Sequence, residues 1–365
     1  MNRKNLRIAA PAAMLALALG LSACGAANES DGGSDAPSGD SVSGTLNGAG
    51  ATSQEAAIAA WKKEFQTANP DATVNYDPVG SGGGREQFIA GGVAFAGTDS
   101  YLEDEEVTAA AEKCGSDIVE VPVYVSPIAV IFKLDGVDEL SLSPKTIGQI
   151  FEGKITQWDD AAIKADNPDA TLPDTDITAV HRSDDSGTTK NFTNYLEAAS
   201  EGGWTGGTVE TWPIKGGEAA EGTSGVVAAV TGGNGTIGYA DESQAGELGK
   251  AKVKVGEDYI EPTPEAAAKT LDTATPVSGR AETDIAVDID RKTSEAGVYP
   301  IVLVSYQVAC QTQKDAATAD LVKGWMTYIA STEGQAAAAS GAGSAPLSGD
   351  FATKVQAAIE TIAAA

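Results

Sequence analysis

Three stretches of the 365-residue chain place glycine and small hydroxyl residues directly ahead of a helical pattern. The first is Gly48-Ala49-Gly50-Ala51-Thr52-Ser53, before Gln54; the second is Gly80-Ser81-Gly82-Gly83-Gly84, before Arg85. The third runs from His181 to Thr189, through Arg182, Asp184, Ser186, Gly187 and Thr188, into a segment with Phe192, Tyr195 and Leu196 on one helical face. A helix N-terminus leaves backbone N–H groups without intrahelical partners and carries partial positive charge, so it suits an anion. Glycine lets backbone approach a ligand, and Arg182 can add a forked, charge-assisted contact to an oxyanion. Each segment also has a plainer reading: Thr52 with Glu55 fits a capping box, Gly80 to Gly84 a loop, and Ser186 a helix cap. Three such segments with one arginine give an anion site equal standing with those readings.

Covalent chemistry fits less well. Ser186 and His181 lie five residues apart on one strand and turn, and neither G-x-S-x-G nor S-x-x-K surrounds the serine. The chain has one histidine, and no Cys or His spacing suggests zinc or a metal-assisted hydrolase. Gly233 to Gly238 matches G-x-G-x-x-G but runs into Tyr239-Ala240 rather than a helix, so the dinucleotide context is missing. The expectation is a binding protein with no catalytic residue, metal or cofactor.

Alternating strand and helix signals must position these turns. Val42 to Asn47, Thr73 to Tyr76 and Val93 to Gly97 read as strands; Gln54 to Thr67 reads as a helix, with Ile58, Trp61 and Phe65 at helical spacing, and Arg85 to Ala90 begins another. Ile118 to Phe132 and Tyr299 to Ala309 are long apolar runs rich in β-branched residues, the first broken by Ser126-Pro127. Two buried crossover strands so far apart imply a discontinuous first lobe, residues 44–125 with 302–365, and a second lobe, 126–301. Such an α/β architecture puts ligands at the carboxyl ends of strands. Ser143-Pro144 reads as a helix cap, and Asp315 to Ala330 and Thr353 to Ala363 as packing helices. Cys114 and Cys310 fall near the two crossings on the first-lobe side, which predicts a disulfide joining its two parts.

The N-terminus reads as a processed anchor. Arg3, Lys4 and Arg7 precede an apolar run from Ile8 to Leu19, too short for a membrane span. Leu21-Ser22-Ala23-Cys24-Gly25 then looks like a lipobox, with residues 1–23 removed and Cys24 lipidated. Residues 24–43, nearly all Gly, Ser, Ala, Asp, Asn and Pro, form a flexible tether. A formal net charge of −28 argues against nucleic acid as a partner and makes any anion site depend on local dipoles.

Four motifs carry a family resemblance: GAGAT at Gly48 to Thr52, VGSGGG at Val79 to Gly84, FAGTD at Phe95 to Asp99 and RSDDSGT at Arg182 to Thr188. With the stretch Thr146 to Pro173, they resemble the phosphate-binding proteins of the bacterial phosphate uptake system. The resemblance implies a two-lobed periplasmic binding protein fold of class II type, with two crossover strands and a ligand cleft between lobes. It implies a monomer, lipid-anchored at the outer face of the cell membrane, that delivers inorganic phosphate to ABC transporter permease subunits. By the same resemblance Thr52, Ser53, Ser81, Asp99, Arg182, Ser186, Gly187 and Thr188 line the phosphate, and Asp184 orients Arg182. Ser53 stands where the family often has Phe and contributes through its N–H. His181 reads as a satisfied neighbour of the site.

Asp99 would then choose the ligand. Phosphate near neutral pH keeps a proton that a carboxylate can accept, whereas sulfate brings only lone pairs against it. The competing role for Asp99 is a cap for a helix from Leu102 to Ala111.

Overall fold

A computed structural model describes residues 41–347 and 349–365. The signal segment 1–23, Cys24 and all but the last three residues of the tether lie outside the described residues. Among the described residues no helix is long and apolar enough to cross a membrane.

The main sheet has nine strands among the described residues. They are β1 (Gly44–Gly50), β2 (Ala72–Asp77), β3 (Phe95–Thr98), β4 (Ile118–Lys133), β5 (Thr178–Arg182), β6 (Glu218–Ala220), β7 (Thr236–Asp241), β8 (Gly249–Lys250) and β9 (Val302–Cys310). Their order is β2-β1-β3-β9-β4-β7-β5-β6, with β8 also paired to β4. The 16 residues of β4 change partner midway: Ile118 to Pro127 pair with β9, and Ile128 to Lys133 pair with β7. The sequence suggested a break at Ser126-Pro127, but the strand runs through. Proline lacks the N–H that a central strand needs, and Pro127 falls where β4 hands over from one partner to the other.

This register places the site. β1 and β3 run parallel, and β3 lies antiparallel to β9 with Thr98 opposite Tyr306, so the ends of both point toward the middle of β4. β7 ends at Asp241 opposite Ile128, and β5 runs parallel to it, so Arg182 arrives at the same middle from the other half. Carboxyl ends of strands from both halves therefore converge there, as expected for ligand sites of open α/β sheets.

Helices pack where their apolar faces require. On α1 (Glu55–Ala68), Ile58, Trp61 and Phe65 are buried, and Phe65 meets Trp325 edge to face at 5.4 Å. Trp325 belongs to α7 (Ala316–Ile329), which is followed by α8 (Thr332–Ala342) and α9 (Gly349–Glu360). In the other half, α4 (Pro144–Phe151) is capped by Ser143, whose side chain accepts from Thr146 N–H, and Phe151 packs on Phe192 at 4.9 Å. The Cys114–Cys310 disulfide forms, joining the end of α3 (Asp104–Cys114) to the end of β9 across 196 residues.

Candidate functional site

Each of the three turns does deliver hydroxyls and a helix start to the middle of β4, by a different device. After β1, Thr52–Gln54 forms a 3-10 turn into α1. The capping box of Thr52 with Glu55 does not form, and α1 has no side-chain cap. Thr52 Oγ1 instead accepts from Thr223 N–H at 3.1 Å and pairs with Thr223 Oγ1 at 2.9 Å. The second helix, α2 (Ser81–Ile89), starts four residues before the expected Arg85, with Gly80 as its N-cap. Glycine is a poor helix former, yet a Cβ on Gly84 would lie 2.3 Å from Gly50 Cα, so the position demands it. In the third turn Ser186 caps α5 (Gly187–Ala199), its Oγ accepting from Thr189 N–H at 3.1 Å. The cap uses an oxygen lone pair and leaves the O–H free to donate.

Asp99 follows the end of β3 and is 2% exposed. It does not cap the next helix: Glu103 caps α3 in a capping box with Glu106. Three hydroxyls donate to its carboxylate. Ser53 Oγ donates at 2.7 Å to either oxygen, Ser305 Oγ to Oδ1 at 2.7 Å and Thr188 Oγ1 to Oδ2 at 3.2 Å. The Asp99 N–H donates to Ser81 Oγ at 3.1 Å, which leaves the Ser81 hydroxyl proton for another acceptor. Burial pushes the Asp99 carboxyl above its ordinary range, opposed by these hydroxyls and by the Arg182 charge.

Arg182, at the end of β5, is 2% exposed and donates through Nε to Asp184 Oδ1 at 2.7 Å and through Nη2 to Asp184 Oδ2. Burial alone would raise the Asp184 carboxyl, but the Arg182 hydrogen bond and charge and the Gly222 N–H hold it below its ordinary range. Gly187 is placed by lack of room, since a Cβ there would meet Ser81 Oγ at 2.4 Å and Asp99 Cβ at 2.7 Å. His181 is satisfied away from Ser186: Nδ1 lies 3.0 Å from Arg182 O, Nε2 3.3 Å from Gly216 O, and the ring stacks on Trp212 at 4.9 Å.

Thr52, Ser53, Ser81, Asp99, Arg182, Ser186, Gly187 and Thr188 are all buried around this point. The arrangement is a cage of hydroxyl, guanidinium and helix-start donors with one buried carboxylate among them. It can hold a tetrahedral oxyanion that carries a proton, and the imidazole of His181 is engaged away from Ser186.

Sequence reasoning missed several members. Ser305 and Gln307 are polar positions two apart in an otherwise apolar strand, a pattern that marks one face of β9 as non-core. Gln307 Nε2 donates to Gln54 Oε1 at 2.8 Å beneath the first turn. A fourth helix, α6 (Gly222–Gly232), begins Gly-Thr-Ser-Gly after β6 and supplies Gly222 and Thr223; the strand, turn and helix rule applied there would have found it. Asn191 on α5 donates to Asp99 O and also accepts from Nη2 of the buried Arg291.

Residues 35–333 match the PBP superfamily domain. The fold is similar to a solved high-affinity periplasmic phosphate-binding protein (PfluDING) bound with phosphate, at TM-score 0.70 and 23% identity over 86% of this chain and 93% of that one. It is also similar to the phosphate-binding protein of Stenotrophomonas maltophilia, at TM-score 0.67 and 21% identity over 86% and 94% of the two chains. The class is therefore the PBP-like fold of substrate-binding proteins. Within it, phosphate-binding protein PstS3 of Mycobacterium bovis BCG is 36% identical over 326 residues, 87% of each chain. PstS 2 of Mycobacterium tuberculosis H37Rv is 34% identical over 372 residues, 97% of this chain and 98% of the other. The chain belongs to the PstS family of phosphate-binding proteins.

Proposed function

We propose that the chain captures inorganic phosphate in the cage around Asp99 and delivers it to the permease subunits of an ABC transporter. It is a binding protein, not an enzyme. The observation that carries the ligand reading is the buried Asp99 carboxylate ringed by donors. Thr52, Ser53, Ser81, Ser186, Gly187, Thr188 and Arg182 serve as donors, with Asp184 as the brace of Arg182. A proton on the ligand turns Asp99 from a repulsive neighbour into a partner.

The change of partner along β4 supports a division into a lobe of residues 44–125 with 302–365 and a lobe of 126–301. The family places the protein outside the cytoplasm. Cys24, after the lipobox, is the proposed anchor, and the protein is proposed to act as a monomer. Cys24→Ala should release the protein from the membrane fraction or stop its processing; retention with complete cleavage would refute the anchor.

The ligand reading is tested by calorimetric titration of the full-length protein and Asp99→Asn with phosphate and sulfate. The parent should bind phosphate and reject sulfate. The variant amide can donate to an unprotonated oxygen, so phosphate should weaken and sulfate gain. A variant that still rejects sulfate as strongly as the parent refutes the role of Asp99.

A further inference from the structure

Ser305 lies on β9, far in sequence from every donor turn, and is wholly buried. The register between β9 and β4 shifts between Ser305 and Tyr306. Such irregularities bend a strand and re-aim side chains beside functional sites. The Ser305 hydroxyl donates to Asp99 Oδ1 at 2.7 Å. Of the other donors to that carboxylate, Thr188 reaches only Oδ2, and Ser53 lies at 2.7 Å from both oxygens. Thr188 and Ser53 belong to turns that face the ligand, whereas Ser305 belongs to the central strand pair. Only Oδ1 of Asp99 is thus tied to the sheet, through Ser305; the site turns reach Oδ2 through Thr188 and either oxygen through Ser53.

We propose that Ser305 is a specificity-determining positioning residue: its hydroxyl holds Asp99 Oδ1 on the sheet side, fixes the carboxylate plane and keeps Oδ2, on the side of the Thr188 turn, turned toward the proton of a bound hydrogen phosphate. The inference rests on the phosphate reading above and adds the residue that sets how sharply unprotonated anions are refused. The physical reason is the state of Asp99. Burial drives its carboxyl toward the neutral form, and the hydrogen bonds from Ser305, Ser53 and Thr188 and the charge of Arg182 oppose it. Ionised, Asp99 accepts a proton and repels an anion that has none; neutral, it donates to such an anion. Without the Ser305 hydroxyl, Asp99 becomes neutral at a higher pH, and sulfate gains entry there.

The groups around Asp99 that could mimic this effect are few. Arg182 arrives from β5 with Asp184 behind it, and Tyr76 from β2 and Glu55 from α1 lie within electrostatic reach of the same region. Arg85 from α2 contacts Thr98 and Ser100 on either side of Asp99, and is paired with Glu106 and Glu210. Lys190 on α5 pairs with Glu103 and Glu210, and Arg291 reaches Asp99 only through Asn191. Of the carboxylates, Glu55 is also raised by burial, against the pull of Arg182, so it is the control.

The test titrates the full-length parent, Ser305→Ala, Ser305→Thr and Glu55→Gln with phosphate and with sulfate between about pH 5 and about pH 8. Ser305→Ala should bind phosphate roughly tenfold more weakly, and its sulfate binding should appear at least about one pH unit higher than in the parent. Ser305→Thr keeps the hydroxyl and should follow the parent. Glu55→Gln should leave the sulfate profile where it is. The proposal is overturned if Ser305→Ala, folded with the parent's thermal midpoint, refuses sulfate as the parent does at every pH. Equal weakening toward both anions with an unmoved profile, or a Glu55→Gln shift as large as that of Ser305→Ala, overturns it too. A parent that binds no phosphate refutes the underlying reading instead.

Discussion

Arg182 and Asp184 meet edge to edge, Nε to Oδ1 at 2.7 Å and Nη2 to Oδ2, while Asp184 Oδ1 also accepts from Gly222 N–H at 3.1 Å. The guanidinium is thereby held in one orientation by an acid two residues away, itself tied to the start of α6. Asp184→Ala should free the guanidinium and weaken phosphate binding roughly tenfold or more, mostly through faster dissociation. Stopped-flow release measurements check this. Parent-like release would mean that Arg182 needs no brace.

Gly187 opens α5 against Ser81 and Asp99 with no space for a methyl group. Gly187→Ala must push α5 and the β3 turn apart, which pulls Thr188 off Asp99 and separates the donors. Phosphate affinity should drop by roughly a hundredfold or more, about the loss of two charge-assisted hydrogen bonds. The thermal midpoint without ligand should change far less. Titration calorimetry beside a thermal scan separates the two effects, and an affinity within a few-fold of the parent would contradict the contact.

The Cys114–Cys310 bridge closes a loop of 196 residues. On the chain-entropy account it contributes about 5 kcal/mol by restricting the unfolded chain. Replacing both cysteines by alanine should lower the urea midpoint accordingly. Thiol counting of the denatured parent without reductant should find neither cysteine reactive. Two reactive thiols from these positions would refute the bridge in the isolated protein.

Asp241 gives the fold a pH dependence of its own. It ends β7, fully buried, and accepts from Tyr124 Oη at 3.0 Å and from Ser243 N–H at 3.0 Å. Burial pushes its carboxyl up to about 7, against the pull of Ser243, Ser126 and Tyr124. An unfolded aspartate ionises near about 4. Between those values the folded state holds a proton that the unfolded state has lost, so this group's contribution is full below about pH 4 and declines as pH rises to about 7. The loss is on the order of 4 kcal/mol. Asp241→Asn should therefore gain stability relative to the parent at about pH 8 compared with about pH 4.5. Urea unfolding of both proteins at the two pH values measures this, and an equal difference at both would remove Asp241 as the cause.

What could be read from sequence was local. The three donor turns are visible because glycine and hydroxyl residues sit immediately before a helical period, and the disulfide because two cysteines flank the two long apolar strands. What could not be read depends on partners far away in the chain. Thr52 forgoes its capping box because Thr223, 171 residues on, takes its hydroxyl. The start of α2 hides behind glycines that a propensity argument leaves as loop, though Gly84 is there to let Gly50 pass. Ser305 meets Asp99 across 206 residues, through a register irregularity that strand alternation alone does not foretell. The α8 helix escaped because its run of alanines and glycine carries almost no apolar periodicity.

Four of the five tryptophans, Trp61, Trp158, Trp204 and Trp325, are buried, but Trp212 is partly open to solvent. Its indole lies flat on the imidazole of His181, 10° from parallel, and that imidazole is bonded to the carbonyl of Arg182. Trp212 is thus joined by two contacts to the backbone of Arg182, the residue that brings the guanidinium into the cage. A ligand that moves this strand end should alter the emission of Trp212, and a titration followed by tryptophan fluorescence would then report occupancy without a dye.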